Sequence, residues 1–174
     1  MRFALRSSAV LALLAAATPL AAQSDAPSSS ARSGGFGVMQ VVASDEARFQ
    51  REWAVTTPGA DLTVSTRTVA NKPLFVHILF FGCKPNAAGD CDVTGEVAFY
   101  GPDGKLEQEK KDLVIWRQKA PDSPTNIYLG GPAVGFGTDD AGPFGAHRVV
   151  YKVTDNVAGI TLVTEQTLTI APAK

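Results

Sequence analysis

Two cysteines, two histidines and a few acidic turns are the residues of this sequence with the most obvious chemical potential. Cys83 and Cys91 bracket "KPNAAGD", seven residues long. A thioredoxin-like redox pair is separated by two residues, and a zinc ion wants four ligands. His77 and His147 are not clustered with the cysteines in sequence, so neither reading is supported. A structural disulfide is expected instead, with no metal and no cofactor. His77 lies between Val76 and Ile78 in "LFVHILFF" and reads as a histidine of a core or sheet face. His147 opens a later strand and is expected to be solvated. No Gly-x-Ser-x-Gly motif is present to raise a serine hydrolase. "LGGPAVGFG" has no phosphate-loop lysine and reads as loop or close-packed strand. Asp90, Asp92 and Glu96 come nearest to a calcium loop but lack the alternating oxygen ligands and closing glutamate. Turn aspartates are explained by bonds to their own backbone. No catalytic residue is assigned.

The elements that must position these residues are mostly strands. "LFVHILFF" before Cys83 and "DVTGEVAFY" after Cys91 are strand-length runs around a Pro/Asn/Gly-rich connection, which predicts a hairpin with the cysteines at its neck. Cross-strand Cβ atoms there lie ~4.5–5.5 Å apart, within reach of a disulfide. "VMQVV", "LTVSTRTV", "LVIW", "IYLGG" and "VGFG" are further strand pieces. "YGPDGK" is a tight turn, and "HRVVYKVT" with "ITLVTEQTLTI" forms a terminal hairpin. "SDEARFQREWAV" suits a short helix near residues 45–55, capped by Ser44 and carrying Phe49 and Trp53 on one side. The expected fold is all-β: an antiparallel β-sandwich of seven to eight strands with one short helix.

The first 22 residues have a positive start (Arg2, Arg6), an apolar run from Ala9 to Ala17, and small residues before Gln23. This is the pattern of a cleaved signal peptide. The run is shorter than the ~20 residues needed to span a bilayer, and no cysteine stands near the cleavage point for lipid attachment. Residues 23–37, rich in Ser and Gly, are expected to be a flexible leader, with one domain from 38 to 174. Cleavage would remove two of the 16 basic residues and none of the 17 acidic ones, leaving a balance of −3. A mildly acidic chain without a basic run has no footprint for nucleic acid or an anionic membrane surface. Periplasmic or secreted localisation is expected.

"PLFVHILFF…VTGEVAFYGPDGK" and "GAHRVVYKVTDNVAGITLVTEQTLTI" resemble the immunoglobulin-like β-sandwiches of bacterial surface proteins and macroglobulin-type domains. The order "FFGC…GDC", "PDG", "VIW" and terminal hairpin is also similar to a group of small exported bacterial proteins without an assigned function. The resemblance covers roughly residues 72–170 and implies a fold, not a site. His147 stands where such hairpins often have tyrosine.

These readings favour a non-catalytic binding or assembly module of the bacterial envelope, acting on an envelope protein or polymer by surface complementarity or strand addition. The alternative is a small-ligand or carbohydrate binder, or a weak hydrolase, using Trp116, Tyr128, Phe136 and Phe144 as a platform. A third feature concerns "LFVHILFF". Its alternation puts Leu74, Val76, Ile78 and Phe80 on one face and Phe75, His77, Leu79 and Phe81 on the other. Both faces are apolar, so Phe75, His77 and Leu79 either form a binding surface or lie under the segment bearing Phe49 and Trp53.

Overall fold

Two β-sheets packed face to face dominate the computed structural model, which describes residues 29–55 and 62–174. The expected signal sequence and the "TTPGAD" turn lie outside the described residues. Along the chain run β1 (Ser30–Ser33), β2 (Phe36–Ala43), α1 (Glu46–Ala54), β3 (Arg67–Val69), β4 (Leu74–Phe81), β5 (Asp90–Tyr100), β6 (Leu106–Lys119), β7 (Tyr128–Phe136), β8 (Gly145–Asp155) and β9 (Ile160–Ala171). The first sheet has the order β1-β2-β4-β7 and the second β3-β9-β8-β5-β6. The sandwich expected from the strand pattern is present, with nine strands among the described residues rather than seven or eight. One pairing, β3 with β9, is parallel, so the second sheet is mixed.

The sequence periodicity shows directly in the core. Leu74, Val76, Ile78 and Phe80 of β4 face Val93, Val97 and Phe99 of β5 and the inward residues of β8 and β9. Each such side chain contributes roughly 1.5–3 kcal/mol on burial. In α1, Asp45 is the cap: its side chain accepts from the Arg48 amide at 2.9 Å, and the helix starts one residue later than a Ser44 cap would place it.

Three expectations are corrected. Residues 30–37, taken as leader, are strand β1 and the start of β2, because β1 pairs with the outer edge of β2 from Ser30 opposite Met39 to Ser33 opposite Phe36. Phe36 is buried in the core, but the Ser-rich β1 is joined mainly by backbone pairing, which hydropathy does not reveal. His147 is buried, 1% exposed, not solvated. Most important, β4 and β5 are not a hairpin. β4 pairs with β2 and β7, while β5 pairs with β6 and β8, so residues 82–89 cross from one sheet to the other.

The disulfide between Cys83 and Cys91 is formed, with Cα atoms 6.1 Å apart, and it fastens this crossing. Replacing either cysteine with serine should cost about 1–3 kcal/mol without abolishing the fold, since the closed loop is short and most of the core lies elsewhere. Denaturant unfolding of Cys83→Ser checks this, and a loss of global folding would contradict it.

Candidate functional site

Trp116 and Tyr128 are brought together at the corner where β6 leaves the second sheet and β7 enters the first. The β5–β6 register slips between Val93 and Thr94, so Ile115 has no residue opposite, and both Ile115 and Trp116 pack against the core. The "LGG" pair allows this corner to close. A Cβ on Gly130 would collide with the Ile115 side chain, and one on Gly131 would meet the Val114 carbonyl at 2.8 Å. The Gly-rich run is therefore a seam of close approach between the sheets.

The ring centroids of Trp116 and Tyr128 are 6.1 Å apart and their planes are inclined by 56°. Phe80 lies beside both, at 5.3 and 6.2 Å. The indole Nε1 donates to the Lys119 carbonyl at 2.9 Å, and the Tyr128 hydroxyl accepts from the Ser123 amide at 3.3 Å. The Trp116 ring is thereby held by the last residue of β6 and the Tyr128 ring by the loop that follows it. They form walls of a recess of about 370 Å³ that also includes Gln118, Lys119, Pro121 and Asp122. Lys119 Nζ donates to the Ala88 carbonyl and lies 3.1 Å from Asp90, which fixes it beside the crossing segment.

The other expected platform residues are elsewhere. Phe136 is buried and stacks on Phe99 of the opposite sheet at 4.4 Å and 9°. Phe144 packs partly buried against the core. Of Phe75, His77 and Leu79, the last two are buried and Phe75 is half-buried. His77 lies beneath α1: Phe49, 0% exposed, stacks on its ring at 3.9 Å, and Trp53 follows Phe49 at 6.4 Å. The helix therefore covers the second apolar face of β4 at His77.

Both histidines meet a glutamate from another element. His77 Nε2 is 2.8 Å from Glu46 Oε2 of α1, and His147 Nε2 is 3.5 Å from Glu107 Oε2 of β6; neither contact has hydrogen-bond geometry. The His147 Nδ1 is 3.3 Å from the Gly145 carbonyl, a contact in which the ring N–H donates. Burial pushes the His77 pKa below its ordinary value of 6.5, and attraction to Glu46 opposes that shift without reversing it. Among the described residues, no serine or cysteine nucleophile is hydrogen-bonded to either ring.

The acidic trio is engaged in cross-strand pairs: Asp90 with Lys119 at 3.1 Å, Asp92 with Arg117 at 3.0 Å, Glu96 with Lys152 at 3.6 Å. Among the described residues no group of three or more His, Cys, Asp or Glu side chains could hold a metal ion. Sequence reasoning missed Gln118, Lys119 and Asp122 as rim residues. The available signal was the polar loop after "VIW", whose contents could be guessed but whose fold over Tyr128 could not.

No family model and no curated protein matches the chain. Among solved structures it is similar to a family 123 glycoside hydrolase from Clostridium perfringens, from a structural study of glycolipid glycan hydrolysis, at 12% identity and a TM-score of 0.42. The match covers 78% of this chain but 28% of that one, so the chain spans less than a third of the enzyme's length. So slight a likeness speaks neither for a shared fold nor for a shared activity. Among the described residues, no helix is long and apolar enough to cross a membrane.

Proposed function

We propose that this chain is an exported, non-catalytic binding module, of immunoglobulin-like sandwich type, that holds a carbohydrate polymer in the recess between Trp116 and Tyr128. The observation that carries the reading is the pair of inclined rings with a polar rim. Ring faces pack well against the C–H faces of a pyranose, while Gln118 and Asp122 at the rim offer groups for its hydroxyls. The two-sheet fold and its terminal hairpin support the immunoglobulin-like part, and the disulfide supports an oxidising compartment.

Strand addition to a protein partner is the weaker route. The long edge strand of the second sheet is β6, and its first half reads "LEQEKKD", with Asp112 at φ 55° and register slips against β5. Charge and bulges on an edge strand are devices that discourage pairing.

A glycan array followed by calorimetric titration tests the proposal. Binding of a retained glycan should weaken at least tenfold in Trp116→Ala and in Asp122→Ala, the second being an exposed change that leaves the core alone. No retained glycan, or unchanged affinity in Asp122→Ala together with Trp116→Ala, would overturn it.

A further inference from the structure

We infer that α1 is a lid over the outer face of the first sheet, held shut at neutral pH and released at its N-terminal end when His77 takes up a proton. The inference is independent of the Trp116–Tyr128 corner. Its basis is how little holds the helix. α1 has nine residues, too short to be stable alone in water, and Phe49 is its one fully buried side chain. Phe49 rests on the imidazole itself, at 3.9 Å and 21°. The anchor of the helix is thus a titratable ring that is 1% exposed.

The charged groups around that ring are few. From α1, Glu46 Oε2 lies at 2.8 Å. From β2 the residue opposite His77 is Val41, and β7 passes it with a bulge spanning Gly131, Pro132 and Ala133. Among the described residues Glu46 is therefore the one acidic group at the ring. A proton on His77 would place a cation between an apolar strand and a phenyl ring with an imperfect partner, and opening the lid lets water reach it.

The other end of the helix is tied differently. Glu52 accepts from the Thr63 amide at 2.6 Å and from its hydroxyl at 2.8 Å, and pairs with Arg48. The Thr63 amide first, and Arg48 next, pull the Glu52 carboxyl down to about 2. That tie is unchanged between pH 7.5 and 5, so the C-terminal end serves as the hinge.

The sign follows from the two states. In the open state His77 has its ordinary affinity for protons, near 6.5, and in the closed state a lower one. Closing is favoured fully above that ordinary value and loses free energy as pH falls below it. One proton taken up on opening gives at most a tenfold rise in the opening constant per pH unit.

Amide hydrogen exchange from pH 7.5 to 5.0, corrected for the intrinsic rate, reads this directly. Amides of α1 should open progressively more below about pH 6.5, by up to tenfold per unit, while those of the β8–β9 hairpin keep their protection. His77→Phe, which preserves a ring under Phe49, should abolish the slope. A flat α1 profile, a parallel loss in β8–β9, or a slope that persists in His77→Phe would each overturn the lid. Should that variant not fold, the comparison of α1 with β8–β9 in the unaltered protein decides alone.

Discussion

Replacing Asp155 with alanine should destabilise this protein by about 4 kcal/mol and lower its melting temperature by roughly 10 °C. Asp155 ends β8 and is 0% exposed. One carboxylate oxygen accepts from the Val157 and Ala158 amides, both at 3.0 Å, and shapes the turn into β9. The other accepts from the Lys84 amide at 2.7 Å, just beyond Cys83. A single side chain therefore ties the β8–β9 turn of the second sheet to the segment leaving the first. Alanine would leave three part-buried backbone donors without their acceptor, and stranding such donors costs more than the net value of the bonds they made. Asp155→Asn retains one acceptor oxygen and should fall between the two. Thermal and denaturant unfolding measure the effect, and a loss under about 1 kcal/mol for Asp155→Ala would mean that water replaces the carboxylate.

Sequence periodicity made much of this architecture legible because burial is written into alternation. "VTGEVAFY" shows its inward residues plainly, and β5 buries Val93, Val97 and Phe99 as that pattern requires. "LFVHILFF" showed two apolar faces, and the need for a cover led to the segment with Phe49 and Trp53, which is where α1 sits. Strand partnership was not legible. The runs around Cys83 and Cys91 look the same whether they pair with each other or belong to opposite sheets, since alternation records which face is buried and not which neighbour is bonded. A short Cys–Cys spacing fits both arrangements, and only the crossing explains why Asp155 reaches Lys84. At the corner between β6 and β7, Trp116 and Tyr128 stood out as aromatics beside Pro-rich loops. Phe136 carried the same local signal but stacks inside on Phe99. A ring in a glycine-rich strand points in or out according to register, and the β4–β7 register slips between Val76 and Ile78.

The second large effect is expected at Gly82, where the chain turns out of β4 toward the disulfide. Gly82 has φ +69°, and a Cβ built there would run into the carbonyl oxygen of Gly35 in the β1–β2 turn, with the Pro124 carbonyl at 3.4 Å on another side. The obstacle is backbone, which cannot rotate away as a side chain does. Gly82→Ala must therefore push the β1–β2 turn off the end of β4, in addition to the ~1 kcal/mol cost of left-handed backbone for an alanine. A total of about 3–5 kcal/mol is expected. Gly89 provides the control in the same crossing segment. Its φ is +82°, but the nearest atom to a Cβ there is Lys119 Nζ at 3.6 Å, an ordinary van der Waals contact. Gly89→Ala should show the backbone cost alone, so the difference between the two variants isolates the clash. Because Pro124 belongs to the loop that holds Tyr128, Gly82→Ala should also weaken any glycan bound between Trp116 and Tyr128, whereas Gly89→Ala should leave that affinity within about threefold. Equal stability losses in the two variants would show that the β1–β2 turn yields freely and does not brace the corner.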